Sequence, residues 1–233
     1  MSYRTNVPED RKANTMKLTI FGATGGTGRC LTEQAIAAGH EVTVVVRDPA
    51  RLAVRGPAAV PDLGGRLHVV TADVMDPAAI IPAVEGADAV LSALGPRGSG
   101  PTTVSQDSAR SIISAMQKSG VRRLVTVSGS VVTDAGEGPV MRYLAKPLTR
   151  RTLLRHVCAD MRRAEDEVRH SHLDWTIMRP PRLTGKPAAG TYRTALDRNL
   201  PRGYTVSRAD LAACMLTLLA DPATIGRHVS IAN

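Results

Sequence analysis

The residues best placed to do chemistry in this chain are four glycines followed by two arginines. Gly22, Gly25, Gly26 and Gly28 fall within the run Gly22-Ala23-Thr24-Gly25-Gly26-Thr27-Gly28, and Arg47 and Arg51 stand about 20 residues further on. Glycine permits a tight turn at Gly22, lets bare backbone approach a pyrophosphate at Gly25 and Gly26, and lets a helix pack closely at Gly28. Amides at a helix start, reinforced by the macrodipole, attract phosphate. Thr24 and Thr27 belong to the same turn and count with the glycines as cofactor-contacting positions. The spacing is Gly-x-x-Gly-x-x-Gly, not the Gly-x-Gly-x-x-Gly of the common fingerprint, and it predicts a dinucleotide cradle.

The arginines select the dinucleotide. A site for NAD places a carboxylate near the ribose 2′-hydroxyl, whereas a site for NADP places cations there. The second strand-like run ends in Arg47, and Arg51 follows about a turn later, so two planar guanidiniums can meet a 2′-phosphate. NADPH is the expected cofactor, and Asp48 keeps NADH as the weaker alternative.

The elements that must position these groups alternate. Strand-like runs near 17–21, 41–46, 66–71, 88–93, 122–128 and 174–179, with a last one near 227–232, are separated by helical patterns near 26–38, 77–84, 103–119, 151–171 and 207–220. This order predicts an α/β fold of Rossmann type, a doubly wound, mainly parallel sheet with helices on both faces. Residues 16–233 read as one domain, with a substrate-covering region near 180–206. Residues 1–15 read as a disordered extension, with Met16 an alternative start. The Gly- and Pro-containing stretch 134–149 is expected to form a lid.

Ligands of such sheets bind beyond the carboxyl ends of the strands. Asp73-Val74, Leu94-Gly95-Pro96-Arg97, Ser128-Gly129-Ser130 and Pro180-Pro181-Arg182 all fall there. Asp73 has two readings, an acceptor for the adenine amino group or a cap for the next helix.

Composition bounds the function. The net charge of +9 points toward acidic partners, but aromatics are only 3% of residues, so few rings are available to stack on bases and nucleic acid is disfavoured. No apolar run is long enough for a membrane span. Cys30, Cys158 and Cys214 lie far apart, which argues for a reducing cytoplasm and against a zinc or disulfide framework. The six histidines lack metal-binding spacing, and no metal is expected. The chain length permits a monomer, and nothing in the sequence specifies an oligomer.

These segments resemble the atypical short-chain dehydrogenase/reductase group, most closely its biliverdin-IXβ reductase/flavin reductase branch. GATGGTG, VVVRDPARL, ADV, DAVLSALGPRGSGPTT, SGVRRLVTVSGS, LDWTIMRPPRLTG and SRADLAACM occur in the family's order. The resemblance implies that Arg47, Arg51, Asp73, Val74, Leu94, Gly95 and Arg97 line the NADP site, with Pro181 and Arg182 near the nicotinamide. Two departures are visible. Ser128-Gly129 stands where the branch has Thr-Ser, so Ser128 or Ser130 must supply any hydroxyl. Arg182 replaces a common histidine, and it stays charged and cannot donate a proton near neutrality.

The Tyr-x-x-x-Lys pair of alcohol-oxidising relatives is not reproduced. Tyr143 and Lys146 are three residues apart, and Pro147 disfavours helix at Lys146. Trp175 lies inside a strand and reads as core. The resulting expectation is an NADPH-dependent reductase passing hydride to a planar small-molecule acceptor such as a flavin, quinone or tetrapyrrole. In it Ser128 holds the carboxamide or relays a proton, and Arg182 steadies negative charge. Two alternatives are an NmrA-like protein that senses NADP(H) without turnover, and a tailoring reductase or epimerase acting on natural products or sugar nucleotides.

Overall fold

The computed structural model describes residues 3–4, 15–53, 65–96, 98–133, 135–136 and 154–233. Its strands are β1 (Tyr3–Arg4), β2 (Lys17–Phe21), β3 (Glu41–Val46), β4 (Leu67–Thr71), β5 (Ala89–Ser92), β6 (Arg123–Val127), β7 (Asp174–Arg179), β8 (Arg182–Thr184), β9 (Arg193–Leu196), β10 (Thr205–Ser207) and β11 (Arg227–Ala232). The helices are α1 (Gly26–Ala37), α2 (Pro77–Val84), α3 (Val104–Ser119), α4 (Arg155–Arg169) and α5 (Arg208–Leu219). Among the described residues the main sheet has nine strands in the order β1-β9-β11-β7-β6-β5-β2-β3-β4. All pairs from β11 to β4 are parallel, and β9 and β1 extend the β11 edge antiparallel.

The α/β expectation holds, and the strand order reverses between β2 and β5. That reversal opens a crevice at the carboxyl ends of those two strands, where the glycine turn follows β2. The central strands β2, β3, β5 and β7 are buried along most of their length because helices cover both faces. Leu18, Ile20, Val42 and Val44 face a layer that includes Leu31 and Ala35 of α1 and Leu211 and Met215 of α5. Phe21, Val45, Val90 and Leu124 face the other layer, with Ile80 and Val84 of α2 and Ile112 and Met116 of α3. Each fully buried Leu, Ile, Met or Phe side chain contributes about 1.5–3 kcal/mol.

Three features add to the sequence expectation. Tyr3–Arg4 pairs antiparallel with Arg193–Thr194, so the segment read as a disordered extension holds an edge strand. Backbone pairing to an open edge needs no side-chain pattern, and two residues carry none. The covering region near 180–206 contains strands: β8 and β10 form a small parallel sheet, and β9 joins the main one. Trp175 is partly exposed, packing on the core while its ring meets His228 edge-on at 5.3 Å.

Candidate functional site

The glycine turn is shaped by its own missing side chains. Gly22 has φ +86°, and a Cβ there would lie 2.9 Å from the Ala93 carbonyl at the end of β5. A Cβ on Gly28 would fall 2.1 Å from the Gly22 carbonyl oxygen, so only glycine lets α1 sit this close to β2. The Gly25 amide donates to the Gly22 carbonyl at 2.9 Å, closing the turn.

No side chain caps α1, and its first turn holds no acid. The starts of α2, α3 and α5 are satisfied within the protein, whereas α4 shares with α1 the lack of a side-chain cap. Asp76 caps α2, Ser207 caps α5, and the buried carboxylate of Asp160 accepts from the Ser105 and Gln106 amides at the start of α3. An uncapped helix start beside a Cβ-free turn suits an anion, and these residues fit the diphosphate of a nicotinamide dinucleotide.

Beyond β3, Arg47 and Arg51 are exposed. Asp48 between them accepts from the Ala50 amide at 3.1 Å and starts the short turn Pro49–Arg51. Its carboxylate is thereby drawn into its own loop. Asp73 behaves alike, accepting from the Met75 amide at 3.1 Å, and the helix cap considered for it belongs to Asp76. Val74 and Leu94 are half-buried against the core, Gly95 is exposed, and Arg97 lies outside the described residues.

Between α3, α4 and the carboxyl ends of β5 and β6 lies a small cavity, partly open to solvent. Ser92, Leu94, Ser105, Ser108, Thr126 and Ser128 line it, facing Met161 and Glu165 of α4. The Leu94 amide lies 3.1 Å from the position a Cβ on Gly22 would take, so the glycine turn and the cavity share a wall. The Ser128 hydroxyl is buried without a hydrogen-bond partner. A buried hydroxyl left unpaired costs about 1–3 kcal/mol, a cost that a ligand group can relieve.

A family model described as NAD(P)H-binding matches residues 22–222, spanning the glycine turn, the cavity and α5. The chain belongs to that NAD(P)H-binding family. It is 26% identical to UPF0659 protein YMR090W of Saccharomyces cerevisiae over 94% of this chain and 93% of the relative. Among solved structures it is similar to a short-chain dehydrogenase/reductase from Veillonella parvula in complex with NADP, at TM-score 0.76 and 22% identity, covering 94% of each chain. It is also similar to ChuY, an anaerobillin reductase from Escherichia coli O157:H7, at TM-score 0.69 and 24% identity, covering 93% of this chain and 96% of that one.

In this NAD(P)H-binding chain the walls of the cavity are tied together by residues that the sequence did not single out. The Ser128 amide donates to the Met178 carbonyl and the Ser130 amide to the Pro180 carbonyl, each at 2.8 Å. Asn199, from the covering region, donates to the Ser130 and Thr133 carbonyls at 3.1 and 3.2 Å. Glu165 is held by Arg179 in a buried two-point ion pair. No local motif marks these partners, because each lies on a different element. Arg182 is exposed on β8, Pro181 is half-buried beside it, and neither lines the cavity. Tyr143, Lys146 and most of the 134–149 loop lie outside the described residues.

Two ring and carboxyl groups near these walls are displaced from their ordinary pKa. Burial lowers His228, with Arg179 adding to the shift and Glu165 and Asp197 opposing it. Burial pushes the Asp210 carboxyl up, but hydrogen bonds from Ser207, Ala189, Asn233 and Gly190 outweigh it and hold the group below its usual range. Among the described residues no helix is long and apolar enough to cross a membrane.

Proposed function

We propose that this protein is an NADPH-dependent reductase of the cytoplasm that delivers hydride to a planar conjugated acceptor of the flavin, quinone or tetrapyrrole kind. The observation that carries the reading is the buried Ser128 hydroxyl, without a hydrogen-bond partner among the described residues, in a cavity that shares Leu94 with the surroundings of the glycine turn. Among the described residues the one titratable side chain lining that cavity, Glu165, is already committed to Arg179. The coenzyme, when bound, supplies a hydride donor.

The chain's own residues would bind and orient. Gly22 to Gly28 and the free start of α1 hold the diphosphate, and Arg47 and Arg51 meet the 2′-phosphate because Asp48 is engaged in its own turn. Ser128 offers the hydroxyl that fixes the carboxamide, and Leu94 and Met161 provide apolar walls that keep water from the reacting face. A conjugated acceptor delocalises the incoming charge, so solvent can supply the proton, and no tyrosine or lysine lines the cavity among the described residues. Arg182, outside that cavity, would steady an anionic group of the acceptor. The wide separation of Cys30, Cys158 and Cys214 along the sequence, with no Cys-x-x-Cys pair, supports a reducing compartment.

The test is anaerobic oxidation of NADPH by purified protein across free flavins, quinones and linear tetrapyrroles. Turnover with at least one acceptor, and preference for NADPH over NADH, is the expected result. Tight nucleotide binding with no oxidation of any acceptor would instead favour an NADP(H) sensor of the NmrA-like kind. The lack, among the described residues, of an uncommitted titratable side chain in the cavity lining also suits that second reading.

A further inference from the structure

A cation lies directly on the start of α1. A Cβ built on Gly26 would sit 2.7 Å from Cδ and 2.9 Å from Nε of Arg208, so the space this glycine leaves open is filled by an arginine side chain. Arg208 is the first residue of α5, and its backbone is anchored from several directions. The Ser207 hydroxyl donates to Asp210 at 2.6 Å, and the Asp210 amide donates back at 2.9 Å. Asp210 also accepts from the Ala189 and Gly190 amides and from the Asn233 side chain, while the Ser207 amide donates to Asn233. From α1, the Gln34 side chain donates to the Ala209 carbonyl at 3.0 Å, fixing the two helices together.

The guanidinium itself is uncommitted. Arg208 makes no ion pair or hydrogen bond among the described residues. A positive group at the positive end of an uncapped helix is in repulsive company, and an anion placed between them turns both interactions favourable. We infer that Arg208 is a diphosphate-binding residue, contributed by α5, that closes over the glycine turn from the side opposite the cavity wall at Ala93 and Leu94. The inference rests on the nucleotide site proposed above and deepens it. It also reassigns Gly26, whose small size makes room for Arg208.

The experiment is calorimetric titration of wild type, Arg208→Met and Arg208→Lys with NADPH, NADH and adenosine 2′-monophosphate, which has no diphosphate. Arg208→Met should weaken NADPH and NADH by the same factor, on the order of 10-fold to 100-fold. It should leave adenosine 2′-monophosphate within about twofold and flatten the dependence of affinity on salt. Arg208→Lys should recover part of the loss, since it keeps the charge without the planar fork. Unchanged NADPH and NADH affinity in Arg208→Met, with wild type still binding, would overturn this role and leave the nucleotide site standing. An equal loss for adenosine 2′-monophosphate would assign Arg208 to the shape of the site and overturn the diphosphate contact. Wild type that binds neither coenzyme would overturn the site and this role together.

Discussion

Glu165 of α4 grips Arg179 at the end of β7 through both carboxylate oxygens, at 3.0 and 2.5 Å, with the two side chains only 5% and 10% exposed. Glu165 lines the cavity, and Arg179 stands between Met178 and Pro180, whose carbonyls accept from the Ser128 and Ser130 amides. Breaking a buried pair leaves an uncompensated charge, so Glu165→Gln or Arg179→Met should each cost about 3–5 kcal/mol. Combining Glu165→Gln with Arg179→Met should cost less than the sum, because no orphan charge remains. Urea denaturation of the two single variants and the double variant measures this, and strictly additive losses would contradict the coupling.

Gly28→Ala should damage stability and binding together. Its methyl would meet the Gly22 carbonyl oxygen at 2.1 Å, forcing α1 away from β2. Overpacking of this kind costs about 1–3 kcal/mol. The shifted turn should also abolish detectable NADPH binding by fluorescence titration. Wild-type affinity in this variant would show that the turn does not hold the coenzyme.

Arg47→Ala should discriminate between the coenzymes. A charge-assisted bond contributes about 1.5–3 kcal/mol, so NADPH affinity should fall about 10-fold to 100-fold while NADH changes little. Equal losses for both would remove Arg47 from the 2′-phosphate.

Ser128→Ala separates function from folding. Among the described residues the hydroxyl has no hydrogen-bond partner, so its removal should leave the melting temperature unchanged or slightly higher. Turnover of NADPH should nonetheless fall about 10-fold or more, as expected on losing a positioned hydrogen-bonding group. A large drop in melting temperature would mean that the hydroxyl is structural.

Acid should destabilise the protein in two stages. Burial lowers His228 and His40, so the unfolded chain binds more protons than the native one once pH falls below the ordinary histidine range of about 6.5. Stability is therefore full above that pH and declines as pH drops from about 6.5 toward the native values. Asp197, Asp210 and Glu167 have lowered native pKa values, and the stability they add is lost only at still lower pH, below about 4. Urea midpoints at pH 7.5, 6 and 5 test the first stage, which His228→Gln should flatten. A midpoint that rises on acidification would mean that neither histidine is held neutral by burial.

Much of the scaffold is written in neighbouring residues. The apolar runs at Lys17–Phe21, Glu41–Val46 and Asp174–Arg179 and the stops at Gly39 and Gly120 reflect local periodicity and backbone freedom, so β2, β3, β7 and the ends of α1 and α3 were legible to within a residue. So was the glycine turn, whose constraint acts between residues six apart or fewer, as in the contact of Gly28 with Gly22. Groups joined by the order of the strands were not legible. That order set the carboxylate of Asp160 on the start of α3, 54 and 55 residues away, matched Glu165 to Arg179 and left Ser128 unpartnered in a cavity. It also laid Arg208 on Gly26 and paired Tyr3–Arg4 with an edge strand. A chain encodes its turns and periods through contacts within a few residues, but the partners of its buried charges depend on which distant segments packing brings side by side.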